Sequence, residues 1–230
     1  MGNPVIQFLF KFLVLGFVEV RNCIVFKGEY PPKLLQLWDD FDAEKTSENI
    51  RPDYLPVDQL YVSLEFNNGG RDLEKYEFKN ATQALSAWVQ VVHTLAVAEE
   101  ALNFEHRDLH WGNILIKESG NKTVTFFLDG DQYTVETGGV ETTIIDFSLS
   151  RLTSEEDKCT IFNNLATDPT LFSAIGQDRG GDYQFDIYRK MRTENRNNWE
   201  EFNPKTNIFW LHYILEKMIT EVYYKVNRFS

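Results

Sequence analysis

The feature that most constrains the fold is an apolar helix pattern that leads without a break into a short polar loop. Within residues 81–103, apolar positions recur at steps of three and four and define one helix face: Leu85, Trp88, Val92, Leu95, Ala98 and Leu102. The loop 106–113, with the sequence HRDLHWGN, follows directly, and residues 114–116 then have a strand pattern. A second buried strand pattern, at 144–145, ends at Asp146. This order predicts a helical body in which a loop and a strand end carry the polar side chains.

These polar residues have the chemistry that phosphoryl transfer requires. That reaction needs one carboxylate to orient the attacking hydroxyl and separate ligands for magnesium. Asp108 suits the first role. The amide oxygen of Asn113 and the carboxylate of Asp146 suit the second, because Mg²⁺ prefers oxygen donors. Each residue alone is a weak signal, but the ordered set predicts a phosphotransferase site with Asp108, Asn113 and Asp146 as its catalytic residues.

The other residues of the loop have less specific interpretations. His106 is predicted to pack its ring under the loop, and Arg107 to pair with a buried carboxylate, so both are assigned structural roles. His110 and Trp111 adjoin Asp108 closely enough to contact a substrate or to support the loop, and the sequence leaves both alternatives open.

Charge and composition narrow the possible partners. The 230 residues include 43% hydrophobic residues, enough to fill a core, and carry a net charge of −12. Nucleic-acid binding through phosphate neutralisation requires a basic surface, so we expect no direct nucleic-acid binding. An acidic surface favours a cationic partner such as a Lys- and Arg-rich peptide, although the same charge also serves solubility alone.

The start of the chain is strongly apolar, with VIQFLFKFLVLGFV at residues 5–18. This segment is shorter than the roughly 18–20 apolar residues that span a bilayer, and no basic region precedes it. We therefore expect a buried strand and part of a helix here, and no membrane segment. The sparse cysteines, Cys23 and Cys159, are typical of a reducing compartment.

The remaining elements follow from periodicity and turn residues. Residues 5–30 are predicted to be buried apolar segments, 34–38 a short helix, 39–58 a surface loop, 60–66 a strand, 124–127 and 133–135 a hairpin, 153–181 irregular, and 183–193 a helix. A last helix begins at Asn203-Pro204. Its predicted buried stripe consists of Ile208, Leu211, Leu215, Met218, Ile219 and Val222.

Beyond this pattern, the amino-acid sequences of several segments resemble the haspin family of atypical kinases, which phosphorylate a threonine in the histone H3 tail. The resemblance is carried by FEHRDLHWGNILIK, IIDFSLSRL, GDYQFDIYRKM and NIFWLHYILEKM, and it extends over about residues 17–217. Trp111 within the loop, and Asp-Phe-Ser at 146–148 where most kinases have Asp-Phe-Gly, are specific to it.

The resemblance implies an α+β, protein-kinase-like fold with ATP and Mg²⁺ as cofactors. Residues 73–230 would form a mostly helical C-terminal lobe and 67–72 the hinge, while 1–66 would be a remnant of the β-containing N-terminal lobe. It further implies a monomer that acts on a basic peptide or the histone H3 tail, in the nucleus and cytoplasm and on mitotic chromosomes.

Site residues also follow from the resemblance. Asp108 corresponds to the catalytic base, and Asn113 and Asp146 to the magnesium ligands. Phe66 corresponds to the gatekeeper, and the adenine-binding hinge comprises Asn67, Asn68, Gly69 and Gly70. Acids that bind the lysine after the target threonine correspond to Asp72 and Glu74, and His110 is counted with the substrate contacts.

The preceding arginine is bound in the family by two acids. One corresponds to Asp182, but the other falls at Gly180, so recognition should be weaker or broader here. Asp186 corresponds to the helix acid that braces the catalytic loop.

The beginning of the chain departs from the kinase pattern. No G-x-G-x-x-G motif occurs, and Lys11 is the only lysine before Lys27, in surroundings unlike Val-Ala-Ile-Lys. We therefore expect the chain to begin near the end of the small lobe. A pseudokinase or peptide-binding module remains one alternative. A small-molecule kinase of the aminoglycoside or choline type, with a related His-x-Asp, Asn and Asp arrangement, is another.

Overall fold

A computed structural model describes residues 15–154, 158–177, 180–222 and 224. The described residues divide into two compact units, one formed by Val20–Asn67 and the other by residues 15–19 together with the described residues from 68 onwards. The predicted apolar segment at 5–18 lies mostly outside the described residues.

The first unit is a two-stranded antiparallel sheet with one helix between its strands in sequence. Strand β1 (Val20–Gly28) pairs with β2 (Gln59–Phe66), so that Cys23 faces Leu64, and helix α1 spans Pro32–Lys45. The predicted strand at 60–66 is confirmed. The loop predicted over 39–58 is wrong for its first residues, because α1 continues to Lys45.

Strand β1 does not have the burial expected of residues 5–30. Ile24, Val25 and Phe26 are all exposed, and the first and last residues of the strand are only half-buried. The prediction is wrong for this strand because two strands supply too little surface to bury both faces of a sheet.

The second unit contains the main core. Its strands are β3 (Arg71–Asp72), β4 (Ile114–Glu118), β5 (Thr123–Leu128), β6 (Asp131–Glu136), β7 (Val140–Ile144), β8 (Leu152–Ser154) and β9 (Cys159–Ile161). Its helices are α2 (Ala81–Leu102), α3 (Thr170–Ser173), α4 (Gln184–Glu194) and α5 (Lys205–Thr220). The predicted hairpin is confirmed as β5–β6, and the predicted helix at 183–193 as α4. The region predicted to be irregular contains the β8–β9 hairpin and the short α3.

Helix α2 begins and ends where its sequence predicts. The side chain of Asn80 caps it by accepting a hydrogen bond from the backbone N–H of Gln83, and Asn103 ends it in a left-handed conformation. Of the predicted face, Leu95, Ala98 and Leu102 are buried, but Leu85 is 57% exposed.

The first half of α2 presents a neighbouring face to the core because that face carries buried glutamines. The side-chain amide of Gln83 donates to the carbonyl of Gly138 at 3.1 Å, and that of Gln90 to the carbonyl of Val140 at 3.0 Å. These bonds satisfy carbonyl groups beside β7 and explain why polar residues replace apolar ones on the buried face.

A three-stranded sheet positions the polar residues of the site. Strand β4 lies between β3 and β7 and pairs antiparallel with both. Ile114 is opposite Ile144, so Asn113 immediately precedes one strand while Asp146 follows the end of its neighbour. On its other side, Ile144 exchanges backbone hydrogen bonds with Gly16 and Val18.

Helix α5 confirms the predicted last helix but not all of its buried stripe. Met218, and Val222 just beyond the helix, are buried, whereas Ile208 is 59% exposed and Ile219 is 73% exposed. The core face instead carries Thr206, Asn207, Trp210, Tyr213, Ile214, Lys217 and Met218. A stripe drawn from apolar residues alone misses this face, because the polar Thr206 and Asn207 have buried partners and set the rotation of the helix.

Within the described parts of the chain, no helix has the length and apolar character needed to cross a membrane.

Candidate active site

Asp108 is held in a loop whose backbone is fixed on both sides. Just before it, Glu105 and Arg151 exchange backbone hydrogen bonds of 2.9 Å, and Arg107 adopts a left-handed backbone conformation with φ of 67°. Just after it, the side-chain amide of Asn113 donates to the carbonyl of Asp108 at 2.8 Å. A positive φ at a non-glycine residue is a strained conformation, typical of functional loops.

The carboxylate of Asp108 has its own partner. The hydroxyl of Tyr188, on α4, donates a hydrogen bond to Oδ1 of Asp108. Burial raises the pKa of Asp108 to about 6, an effect that the Tyr188 hydrogen bond partly offsets and the nearby charge of Asp146 reinforces. Burial also raises the pKa of Tyr188 far above its ordinary value, so its hydroxyl remains a donor.

Asn113 and Asp146 are connected through the backbone. The backbone N–H of Ile145 donates to the carbonyl of Asn113 at 3.0 Å, which ties the start of β4 to the residue before Asp146. Asp146 is exposed, has a φ of 60°, and accepts a hydrogen bond from the backbone N–H of Ser148 through Oδ1. The amide nitrogen of Asn113 is engaged by the carbonyl of Asp108, so the amide oxygen is the atom of this side chain that can serve as a metal ligand.

These two oxygens fit the donor chemistry of Mg²⁺. An amide oxygen and a carboxylate are hard donors, and magnesium bound to phosphates takes only one or two carboxylates from the protein. Among the described residues, no cluster of three or more His, Cys, Asp and Glu side chains could hold a metal alone. The arrangement therefore suits a metal that is shared with a phosphate ligand.

His106 lies under the loop. Its side chain is buried, and Nε2 lies 3.0 Å from the carbonyl of Ile145, the residue before Asp146. Its ring contacts Phe147 with the centroids 5.7 Å apart. Burial lowers the pKa of His106 to about 4, so the ring is neutral at neutral pH. A neutral, buried ring serves as a spacer between the loop and the end of β7.

Arg107 forms a fully buried ion pair with Glu105. Its Nε and Nη2 lie 3.1 and 3.0 Å from the two carboxylate oxygens, and Nη1 donates to the carbonyl of Trp199 at 2.7 Å. Glu105 also accepts from the hydroxyl of Thr206 at 2.7 Å and the backbone N–H of Asn203 at 2.9 Å. Each group of the pair thus has further partners, as burial of a charge requires.

The brace on the loop is not the one expected from the resemblance. Asp186 forms hydrogen bonds with the side chain of Arg189 and the backbone of Gln177, so its contacts do not support bracing of the catalytic loop. Asn207 takes that position, because its Oδ1 accepts from the backbone N–H of His106 at 3.0 Å. Its Nδ2 donates to the carbonyl of Phe104 at 2.9 Å, and to a half-buried glutamate of α2, Glu99, at 2.8 Å.

The residues assigned to substrate binding lie at separate places. Asp72, at the end of β3, accepts from the backbone and side chain of Lys75, and Glu74 is exposed next to it. The Nδ1 of His110 accepts from the backbone N–H of Gly112 at 3.1 Å and caps the short turn Trp111–Asn113, which gives this residue a supporting role.

Asp182 is already paired with a cation of the protein. Its carboxylate lies 2.8 Å from Nζ of Lys217, which is also 2.8 Å from Glu221 and lies over the ring of Trp111, 4.6 Å from its centroid. Gly180, Asp182, Lys217 and Glu221 contribute to the lining of a cleft of about 270 Å³. The sequence predicts the acid here but not its neutralising lysine.

The residues assigned to nucleotide binding are divided between the two units. Phe66 ends β2, and Asn67 accepts a hydrogen bond from the side chain of Arg21. In the second unit, Gly70 has a φ of +102°, and a Cβ there would lie 2.1 Å from the carbonyl oxygen of Ile116. At Gly69, a Cβ would lie 2.8 Å from Leu115. The backbone of 69–70 therefore packs against β4 as only glycine allows, and the backbone N–H of Gly70 is tied to the side chain of Asn68 at 2.9 Å.

Three residues that position this loop were missed from the sequence: Tyr188, Asn207 and Lys217. Each lies on a helix among apolar neighbours, where its pattern resembles an ordinary amphipathic face. For Asn207 and Lys217, the available signal is their phase among the buried positions of α5, but the predicted stripe consists of apolar residues in a different phase. For α4 the sequence predicts a helix but no buried face.

Comparison with known proteins identifies the family of this chain. Residues 6–229 match the family model of the haspin-like kinase domain. The chain is 43% identical to the serine/threonine-protein kinase haspin homolog of Drosophila melanogaster over 210 residues, which cover 91% of this chain and 36% of that protein. It is 43% identical over 212 residues to serine/threonine-protein kinase haspin of Bos taurus, covering 91% of this chain and 26% of the relative. Identity to the Arabidopsis thaliana haspin homolog is 40% over 205 residues, covering 89% of this chain and 33% of that protein.

The matched regions thus span only about a quarter to just over a third of the length of these curated relatives. Within that part, the match includes the loop of Asp108, the strand end at Asp146 and the helix of Asn207. A family model that covers nearly the whole chain and relatives at this level of identity establish its family. The chain belongs to the haspin-like kinase domain family.

Proposed function

We propose that this protein is a serine/threonine protein kinase that transfers the γ-phosphate of ATP to a hydroxyl group in a basic peptide such as the histone H3 tail. The observation that carries the proposal is the joint fixation of Asp108, Asn113 and Asp146. One side-chain bond links Asn113 to Asp108, and one backbone bond links it to Ile145, next to Asp146. The names of the relatives, serine/threonine-protein kinase haspin and its homologs, support the same activity.

In this proposal Asp108 orients the substrate hydroxyl and accepts its proton. The hydroxyl oxygen forms a bond to the γ-phosphorus while the bond to the bridging oxygen of ADP breaks, and the proton passes to the Asp108 carboxylate. A pKa of about 6 leaves Asp108 mostly ionised at neutral pH, yet high enough to take up a proton during the reaction.

Asn113 and Asp146 would hold Mg²⁺ through the amide oxygen and the carboxylate. When bound, the metal neutralises the negative charge of the transferred phosphoryl group. The nucleotide base is proposed to contact the segment from Phe66 to Gly70. Within this segment, the backbone of Gly69 and Gly70 packs tightly against β4.

A cationic substrate suits the charge of the chain. The net charge is −12, and Asp72, Glu74 and Glu221 are acids with partial or full exposure. We therefore propose a Lys- and Arg-rich peptide as the substrate, with binding that weakens as salt rises. We further propose that the protein acts as a monomer, in the nucleus and cytoplasm and on mitotic chromosomes.

Incubation of the chain with radiolabelled ATP, Mg²⁺ and a histone H3 tail peptide tests the activity. We expect magnesium-dependent phosphorylation that is lost in Asp108→Ala and Asp146→Ala. The control variant Asp131→Ala changes an exposed acid in the β5–β6 hairpin and should leave the rate unchanged. Peptide binding without transfer would indicate a pseudokinase. Phosphorylation of choline or an aminoglycoside but not the peptide would indicate a small-molecule kinase.

A further inference from the structure

Tyr188 connects helix α4 to the carboxylate of Asp108. The two residues are 80 positions apart, and the tyrosine hydroxyl donates to Oδ1 of the aspartate. The Tyr188 side chain is only 4% exposed. Its ring packs edge-on against Trp210 of α5, with the centroids 5.3 Å apart, so the hydroxyl is carried by a side chain that is fixed from behind.

The other contacts of Asp108 hold its backbone. The backbone N–H of Asp108 donates to Nδ1 of His106 at 3.3 Å, and its carbonyl accepts from Asn113 at 2.8 Å. Within the part of the chain that the structure describes, Tyr188 is the only hydrogen-bond partner of the carboxylate. Without it, the side chain of Asp108 would be free to rotate between rotamers.

We propose that Tyr188 is a positioning residue for phosphoryl transfer, which holds one oxygen of Asp108 so that the other is presented to the substrate hydroxyl. The inference rests on the proposed function, because it assigns Asp108 the role of catalytic base. Tyr188 lies on α4, outside the loop that carries Asp108.

The arrangement separates two tasks between two oxygens. Oδ1 accepts the tyrosine hydroxyl, so the carboxylate plane is fixed relative to helices α4 and α5. Oδ2 then remains as the acceptor for the substrate. A rate advantage follows because a base held in the productive orientation need not be ordered during the reaction.

The kinetic test uses Tyr188→Phe in the whole chain. Phenylalanine keeps the ring and its packing on Trp210 but removes the hydroxyl. We expect kcat to fall about tenfold or more, as for loss of a hydrogen bond to a charged group, while KM for ATP and for the peptide is unchanged. The control is Tyr224→Phe, which removes a hydroxyl that donates to the carbonyl of Met218 at 2.7 Å and should leave kcat unchanged.

A double-mutant cycle tests the contact without any need for kinase activity. The urea midpoints of Tyr188→Phe, Asp108→Ala and the double variant are compared, and the shifts of the single variants should not add. Additive shifts, or an unchanged kcat in Tyr188→Phe, would overturn the inference, as would a rise in KM alone. If the wild-type chain transfers no phosphate but the shifts are non-additive, the proposed function fails while the Tyr188–Asp108 contact stands.

Discussion

The side-chain ammonium of Lys217 lies 2.8 Å from the carboxylate of Asp182, so the acid that the family resemblance assigns to a substrate arginine is occupied by a cation of the chain itself. Lys217 is nearly buried, and it lies over the ring of Trp111 in the catalytic loop. A buried ammonium with two carboxylate partners and an aromatic face is well compensated. The cleft beside it therefore presents less negative charge to a peptide than its acids alone would indicate.

Replacement of Lys217 should strengthen the binding of a basic peptide. In Lys217→Met, the aliphatic stem is retained while Asp182 and Glu221 lose their shared cation. We expect the Kd of an arginine-containing peptide to fall about threefold to tenfold, the range of one additional charged contact. Fluorescence anisotropy of the labelled peptide without ATP measures this.

The matched control for that experiment is Lys205→Met. Lys205 begins the same helix and pairs with Glu194 at 2.7 Å, but it lies outside the cleft. It should leave the Kd unchanged at fixed salt. Equal effects of the two substitutions would show that only the total charge of the chain matters.

Gly180 offers a second way to alter the same cleft. In Gly180→Asp, the new Cβ meets no atom within 4 Å, but the φ of +82° is unfavourable for any residue with a side chain. We expect the free energy of unfolding to fall by about 1 kcal/mol and the affinity for an arginine-containing peptide to rise. The isosteric Gly180→Asn has the same strain without the charge and should reproduce only the loss of stability. A gain in affinity that persists when the arginine of the peptide is replaced by alanine would contradict the prediction.

The chemistry of the site could be predicted from sequence because it depends on local order along the chain. Asp108, Asn113 and Asp146 lie at a loop and a strand end, where a few neighbouring residues determine the backbone. The contacts that hold this loop could not be predicted in the same way. They come from α4 and α5, roughly 80 to 100 residues further on.

The rotation of the helices about their axes explains most of the remaining differences between the predicted and the observed buried faces. On α5, a stripe that includes Ile208 and Ile219 is more apolar than the face that is buried, but Thr206 and Asn207 have specific partners in the core. Fulfilling several buried hydrogen bonds outweighs burial of two isoleucines, because an unsatisfied buried polar group is costly. On α2, Gln83 and Gln90 act in the same manner.

A negative charge at position 207 should destabilise the protein. Asn207→Asp keeps the shape but loses the donations to Phe104 and Glu99, and it places a second carboxylate beside Glu99, whose pKa is already raised by burial. We expect a loss of about 3 kcal/mol or more in the free energy of unfolding. The hydrogen bond from the backbone N–H of His106 is retained, because a carboxylate oxygen accepts it as the amide oxygen does. Urea unfolding at pH 7 measures the loss.

An exposed asparagine supplies the comparison for this substitution. Asn121 donates to Glu141 at 2.7 Å in a solvent-exposed turn. Asn121→Asp also places two carboxylates together, but water screens them, so the expected loss is below about 1 kcal/mol. Losses of similar size at the two positions would show that the buried brace is not important for stability.

His106 should make the protein less stable in acid. Burial lowers its pKa to about 4 in the folded state, against an ordinary value of 6.5. Between these two pH values, His106 is therefore protonated in the unfolded chain but neutral in the folded chain. The contribution of the neutral His106 to the free energy of unfolding is therefore fully present above about pH 6.5. It is lost as the pH decreases towards 4, by up to about 3 kcal/mol. In His106→Gln this contribution to the pH dependence should disappear, as measured by urea midpoints between pH 7 and pH 4.5. An unchanged slope would contradict the assignment.

The protonation of Asp108 affects stability in the opposite direction to that of His106, over nearly the same pH range. Because burial raises the pKa of Asp108 to about 6, the folded chain takes up a proton there before the unfolded chain does at about 3.8. The contribution of Asp108 to the free energy of unfolding thus increases as the pH falls from 6 towards 4. This contribution is lowest when Asp108 is ionised, the form that the reaction needs. Asp108→Asn removes this gain, so we expect the variant to be more stable than wild type at pH 7 and to lose stability more steeply in acid. If Asp108→Asn has the same midpoint as wild type at pH 7, the carboxylate is better solvated than its burial indicates.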